Sequence, residues 1–157
     1  MSFAELLNVH ERLNELFLLH QEALLRLDLE LAAERLRIYE RELRAHMRVE
    51  EDLLTPVYER AGKIEGGPPE FFIGERRRML EFLARFTATL GELKEESGDP
   101  ARRVIRLFDE EAMFKNLRDH HYMRERNIFF PALDRVTDED ERRELVSGCF
   151  SANSIED

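Results

Sequence analysis

The chain of 157 residues is 43% hydrophobic and 37% charged, which is long enough and apolar enough to fold as a single domain. Its 24 Lys and Arg residues face 34 Asp and Glu residues, and the net charge of −10 argues against nucleic acid or anionic lipid as a partner. No apolar run approaches the roughly 20 residues that span a bilayer. The N-terminus lacks the pattern of a secretory signal, and a single cysteine, Cys149, excludes an internal disulfide. These features predict a cytoplasmic protein.

Two amphipathic helices are predicted in the first part of the chain. Apolar residues recur there every three or four positions, which is the period of one helix face. The face of the first helix consists of Phe3, Leu6, His10, Leu13, Phe17, His20, Leu24 and Leu27. Asp28 is then predicted as the N-cap of the second helix. The face of the second helix consists of Ala32, Leu36, Tyr39, Leu43, His46, Glu50, Leu53 and Val57, and the glycine-rich loop 61–67 follows it.

Two more long helices follow in the same pattern. The third is predicted to begin near Pro68 and Pro69 and to end at 97–100, where Ser, Gly, Asp and Pro occur together. Its face consists of Phe72, Arg76, Met79, Leu83, Phe86, Leu90 and Leu93. The fourth is predicted over about 101–133, and Pro131 marks its final turn or a kink. The face of the fourth helix consists of Val104, Leu107, Glu111, Phe114, Arg118, His121, Glu125 and Ile128.

The end of the chain predicts one further element. Thr137 and the acidic residues after it are typical of a helix N-terminus, and Gly148 is a plausible C-terminal stop, which gives a short fifth helix. Four long amphipathic helices with mostly short loops predict an all-α fold, an up-down-up-down antiparallel four-helix bundle. We expect one domain over 1–157, with the bundle at about 3–134 and a C-terminal extension at about 135–157.

One combination of residue types occurs twice on the predicted inner faces. His46 with Glu50, and His121 with Glu125, are each four positions apart and therefore share one side of a helix. A proline follows both pairs at the same distance. Buried imidazoles and carboxylates are costly unless something compensates them. The duplication therefore favours a metal site over two isolated ion pairs in the core.

The turn at Asp28 selects a third histidine for this site. Residues at one level of an antiparallel hairpin are equally far from its turn, and His10 and His46 are equally far from Asp28. His20 lies about 15 Å further along the first helix, at 1.5 Å per residue. It falls level with Glu111, with which we predict a buried hydrogen-bonded pair. Imidazoles and carboxylates that converge from several helices are typical of iron or manganese pairs, with zinc as an alternative.

Several stretches of the chain resemble the bacterial hemerythrin-like, HHE cation-binding family. They are residues 10–13 with Phe17, then Asp28 and Ala32, then 46–56, and finally 121–134. The resemblance covers nearly the whole bundle. It implies a hemerythrin-like fold with non-haem iron, commonly a diiron centre, and a role in oxygen binding, in sensing oxygen or nitric oxide, or in iron handling. It also implies metal ligands at His10, His46, Glu50, His121 and Glu125, with the two glutamates as bridging carboxylates.

The third helix departs from the family pattern. Where the family usually has Glu followed by His, this chain has Glu75 followed by Arg76. An arginine cannot lose its proton to coordinate a metal. Either Glu75 turns inward as a sixth ligand, which would give a site of three histidines and three glutamates, or Arg76 neutralises a carboxylate and leaves one strongly held metal. Glu75 is included among the predicted ligands, whereas Glu81 lies off the helix face and is expected in solvent.

Other polar residues near the motifs are expected to be less central. His120 points about 100° away from His121 around the helix and is predicted behind the site or at the surface. Tyr39 is expected to pack its ring in the core near His46. Tyr58 and Tyr122 are predicted at the periphery.

Three functional hypotheses remain open from the sequence. The first, which we favour, is a non-enzymatic protein whose iron site binds oxygen or nitric oxide. The second is a diiron carboxylate-type redox enzyme that reduces oxygen, a peroxide or nitric oxide. The third is a regulatory bundle in which Arg76 marks a partly decayed site. Monomer and homodimer both fit the pattern.

Overall fold

The computed structural model describes residues 2–155, and this part of the chain is helical, with no strand. We number its long helices α1 to α5 in chain order. They are α1 (Leu7–Leu25), α2 (Leu29–Val49), α3 (Pro69–Glu95), α4 (Ala101–Arg124) and α5 (Glu139–Ile155). Helix α1 packs on α2, α2 on α3, α3 on α4, and α4 back on α1. The predicted all-α bundle with a C-terminal helix is confirmed. Over the described residues, no helix combines the length and the apolarity that a membrane span requires.

The turn between α1 and α2 is the one that the sequence predicts. Asp28 is the N-cap of α2, and its Oδ1 accepts a hydrogen bond from the backbone N–H of Leu31 at 3.1 Å. Leu27 reverses the chain just before it, with a left-handed φ of 57°. Such a cap satisfies a backbone donor that the first helical turn leaves unpaired. It therefore fixes the level at which residues of α1 and α2 face each other.

Two apolar clusters fill the bundle and leave a polar layer between them. The first cluster lies towards the turn at Asp28 and is rich in aromatic rings, with Phe17 and Phe114 only 5.0 Å apart between centroids. The second lies at the opposite end and includes Phe72, Phe129 and the buried Cys149 of α5. On each bundle helix the polar residues of this layer lie between a residue of one cluster and a residue of the other, whereas the buried His20 and Glu111 lie within the first cluster. The layer is therefore shielded from water on both sides.

Helices α2 and α4 are each followed by a π-helical turn and then by a further short helix. After α2 the chain forms the π-helical turn Glu50–Leu54 and then the short helix Thr55–Tyr58. The backbone N–H of Thr55 bonds to the carbonyl oxygen of Glu50, five residues back. Pro56 lies in this short helix, where its ring and missing N–H conflict with a regular α-helical turn. A π turn relieves that conflict without ending the helix.

The same arrangement follows α4. The π-helical turn Glu125–Phe129 leads into the helix Phe130–Val136, which contains Pro131. The N–H of Phe130 bonds to the carbonyl oxygen of Glu125. The predicted end near 133, with Pro131 in the final turn, is wrong because the helix continues to Val136. The alternative, a kink at Pro131, corresponds to the π turn just before it.

The π turns correct two predicted core positions. Leu53 was expected on the inner face of the second helix, but it is 37% exposed and Leu54 is buried instead. Ile128 is likewise only partly buried, whereas Phe129 is buried. Each π turn accommodates one more residue than an α-helical turn, so the buried position moves on by one.

The fifth helix is longer than predicted. It begins after Asp138, whose Oδ1 accepts the backbone N–H of Glu141 at 2.8 Å, and it runs through Gly148. The expectation that Gly148 stops this helix is wrong, because Val146 and Cys149 on either side of it are buried. That burial outweighs the cost of about 1 kcal/mol for glycine inside a helix. The last residues of the predicted extension, 156–157, lie outside the described part.

Candidate metal centre

Four of the predicted ligands converge in the polar layer. His10 comes from α1, His46 from the last turn of α2, and Glu50 and Glu125 each begin a π turn. One donor atom from each of these four buried residues lies within 4.8 Å of the others. The rings of His10 and His46 are 5.4 Å apart between centroids, which agrees with their equal distance from the turn at Asp28.

His121 adjoins this cluster from α4. Its Nε2 lies 2.7 Å from Oε1 of Glu125, and Nε2 of His10 lies 2.8 Å from the other carboxylate oxygen. The Glu125 carboxylate therefore stands between two imidazoles. Nε2 of His46 also contacts Oε1 of Glu50.

The contacts within the cluster are short, but they do not have the geometry of hydrogen bonds. Nε2 of His10 and of His46 are buried without a hydrogen-bond partner. The same holds for Oε1 of Glu50 and both carboxylate oxygens of Glu125. Buried polar atoms in proteins are normally paired, and each orphan carries a desolvation cost. Unpartnered donor atoms that crowd around one point are what a bound cation would satisfy.

The pair of His20 and Glu111 differs from the metal cluster in its hydrogen bonding. Nε2 of His20 is hydrogen-bonded to Oε2 of Glu111 at 2.7 Å, and its Nδ1 to the carbonyl oxygen of Ala32 at 2.8 Å. The other carboxylate oxygen of Glu111 accepts a hydrogen bond from Gln21 at 3.0 Å. The predicted buried pair is confirmed. Every polar atom of its two side chains has a partner, which is not so in the metal cluster.

Glu75 lies behind His121 and outside the group of four. Its Oε1 is 3.0 Å from Nδ1 of His121 and 3.2 Å from Nε of Arg124. Burial alone would raise the pKa of Glu75, but the hydrogen bond and charge of His121 and the charge of Arg124 outweigh it and lower the pKa. A carboxylate bonded to Nδ1 leaves Nε2 of the ring directed at the site. The role of Glu75 as a ligand stays a prediction, and in this geometry it orients His121.

Arg76 reaches the cluster from α3. Its guanidinium is 2% exposed and donates from Nη2 to Oε2 of Glu50 at 2.7 Å. Its Nε and Nη1 are buried without a hydrogen-bond partner. The two oxygens of Glu50 are thereby divided, because Oε1 contacts His46 and Oε2 is held by Arg76.

The electrostatics keep the Glu125 carboxylate ionised at neutral pH because they hold its pKa low. Burial would raise the pKa of Glu125, but the charges of His121 and His10 outweigh burial and hold that pKa well below its ordinary value. For His121, burial lowers the pKa, yet the Glu125 carboxylate outweighs it and raises the pKa to about 9. In the absence of a metal, a proton on imidazole therefore balances part of the carboxylate charge. A metal ion takes the place of such protons when it binds.

Two predictions about tyrosines are wrong. Tyr122, expected at the periphery, is buried, and its ring stacks on His10 with 3.7 Å between centroids. A bundle helix packs against two neighbours, so positions beside its main inner face are buried as well. Tyr58 is also buried and donates to the carbonyl oxygen of Gly67. The π turn at Glu50 brings it inward.

The remaining polar residues lie around the cluster. Tyr39 is buried among rings, with its centroid 5.1 Å from that of Phe17. His120 is largely exposed and accepts a hydrogen bond from Nη2 of Arg124 at 2.9 Å. Sequence reasoning missed Arg124, although its position one helical turn after His121 could have indicated it. Glu81 is exposed, as expected.

Comparison with known protein families gives a match to the chain. The family model of the hemerythrin HHE cation binding domain matches residues 1–133, a range that contains every residue of the cluster. No curated protein and no solved structure matches the chain.

Proposed function

Because the chain belongs to the hemerythrin HHE cation-binding family, we propose that it holds non-haem iron in the polar layer and uses it to bind or sense oxygen or nitric oxide. The proposed ligands are His10, His46, Glu50, His121 and Glu125. The observation that carries the proposal is the convergence of buried donor atoms without hydrogen-bond partners.

The size and chemistry of the cluster fit a metal ion. Bonds of about 2.0–2.2 Å to nitrogen or oxygen place opposite ligands of one ion about 4–4.4 Å apart. The donor atoms of the cluster lie within 4.8 Å of one another, so the most distant of them would have to move only slightly closer together. A mixed set of imidazoles and carboxylates suits iron, and it also accepts manganese or zinc. Iron is the proposal, and the other two metals are outcomes that elemental analysis would reveal.

The residues around the layer would control access to it. A cleft of about 320 Å³ lies at the α1–α4 side, lined by residues that include Leu7, Asn14 and Tyr122, and His10 forms part of its wall. The Tyr122 ring, which stacks on His10, is also part of the cleft wall. The apolar clusters on both sides exclude bulk water. When bound, ferrous iron supplies the electrons and the open coordination position that oxygen or nitric oxide requires.

The test begins with metal content. The protein is reconstituted with ferrous iron without oxygen, desalted and subjected to elemental analysis. It is then exposed to nitric oxide, and separately to cycles of oxygen, while optical and electron paramagnetic resonance spectra are recorded. We expect retained iron, a nitrosyl signal and a reversible optical change. Consumption of oxygen over many turnovers would instead support the redox enzyme.

A matched pair of variants locates the site. His46→Gln removes a proposed ligand and is expected to lower iron retention strongly. His20→Gln changes a buried histidine of the hydrogen-bonded pair with Glu111 and should leave iron retention unchanged. Equal retention in both variants would refute the assignment.

A further inference from the structure

We propose that Arg76 takes the place of a second metal ion, so that the layer holds one divalent ion per chain beside a permanent guanidinium charge. This inference rests on the proposed metal binding but not on oxygen or nitric oxide as the ligand. It replaces the expectation of a diiron centre with a centre of one iron and one arginine.

The first support is the division of the Glu50 carboxylate. A carboxylate that bridges two ions must offer one oxygen to each. Here Oε2 accepts a charge-assisted hydrogen bond from Arg76 at 2.7 Å, and only Oε1 faces the histidine side of the layer. Both side chains are buried, so water cannot take over this contact. Glu50 can therefore serve one ion, while the guanidinium occupies its other oxygen.

The second support is the lack of a ligand from α3. Glu75 is the carboxylate of that helix nearest the layer, and it is engaged by His121 and Arg124. Arg76 itself has no lone pair to offer, since its guanidinium stays protonated in proteins. A second ion would thus have no donor on the α3 side. The α3 side chain that reaches the layer, Arg76, donates hydrogen bonds but cannot donate an electron pair to a metal ion.

The third support is charge. In a layer shielded from water, charges interact far more strongly than in solution. The Arg76 guanidinium already balances the Glu50 carboxylate, and Arg124 balances Glu75, so the charge of Glu125 remains. One divalent ion neutralises this remaining negative charge and leaves only a single excess positive charge. A second ion would add two further positive charges close to a guanidinium that cannot discharge.

The experiment counts metal ions per chain. Wild type, Arg76→His and the control Arg77→His are loaded with ferrous iron without oxygen, desalted and analysed for iron and protein. Arg77 neighbours Arg76 on α3 but is exposed. We expect one ion in wild type and in the control, and an approach to two in Arg76→His, because an imidazole can lose its proton and coordinate.

A second measurement keeps the inference testable if Arg76→His does not fold. Wild type loaded with Mn²⁺ should show the electron paramagnetic resonance spectrum of isolated ions, without the magnetic coupling of a bridged pair. Two ions per chain, or coupled spins, in wild type would overturn the inference and leave the proposed metal binding intact. A folded Arg76→His variant that still holds one ion would also overturn it. No retained metal in wild type would overturn the proposed function as well.

Discussion

The buried pair of His20 and Glu111 allows a test of how much a polar pair in the core contributes to the free energy of unfolding. Both side chains are 0% exposed, and they are joined by a hydrogen bond of 2.7 Å. The perturbation is a double-mutant cycle of His20→Leu, Glu111→Leu and the double variant. Removing one partner of a buried charged pair typically costs about 3–5 kcal/mol, whereas replacing both by apolar residues is often neutral.

The two single variants should not cost the same. His20→Leu leaves the Glu111 carboxylate buried with only the amide of Gln21 at 3.0 Å, so we expect a loss near the upper end, about 4–5 kcal/mol. Glu111→Leu leaves an imidazole that keeps its hydrogen bond to the Ala32 carbonyl oxygen. One orphaned ring nitrogen then costs about 1–3 kcal/mol. The double variant should lie within about 1–2 kcal/mol of wild type because neither orphan remains.

The assay is urea unfolding of the metal-free protein, followed by circular dichroism. Iron retention serves as the control, since the pair lies about 15 Å along α1 from His10 and should not affect it. Equal losses in the single variants, with a double variant equal to their sum, would show that the pair is not coupled and refute the reasoning.

Three further predictions concern the site and its surroundings. Glu75→Gln should weaken iron binding by about 10- to 100-fold in a chelator competition, because the orientation of His121 weakens, and an unchanged affinity relative to the control Glu81→Gln would contradict this. Burial raises the pKa of Cys149 to about 12, so a thiol reagent at pH 8 should react with it only after unfolding, and fast labelling of the native protein would be inconsistent with the structure. Removing the metal with a chelator should lower the free energy of unfolding by about 4 kcal/mol if free iron had been 1,000 times its Kd, and a Tm independent of iron would argue against binding to the folded state.

Much of the site is predictable from the sequence because the spacing of its residues along the helices determines which of them lie close together. His46 and Glu50 share a helix face by their separation, and a capped turn at Asp28 is enough to bring His10 to the same level. The length of α5 was not predictable, since it depends on which side chains around Gly148 find a surface to pack against.

The position of Glu75 depends on the assembled structure. Its carboxylate lies between His121 on α4 and Arg124 one turn further on, and neither contact can be inferred from the pattern of α3. The burial of Leu54 in place of Leu53 follows from the π turn, which a regular helical period does not contain. A proline signals only that the helix must adjust, and packing decides whether it bends, ends or widens.

The π turns after α2 and α4 each separate a helix into two parts that have different roles. Glu50 and Glu125 are each the first residue of a wide turn, so the chain before them and the chain after them do not share a single helical phase. The earlier part directs an imidazole into the polar layer, while the later part is free to direct Leu54 or Phe129 into the far apolar cluster. A regular α-helix over the same residues would preserve the His–Glu spacing yet direct Leu53 inward in place of Leu54, whereas deleting one residue within the π turn would return Leu54 to the inner face. The metal layer and the end of the bundle are therefore constrained separately, although one continuous helix serves both.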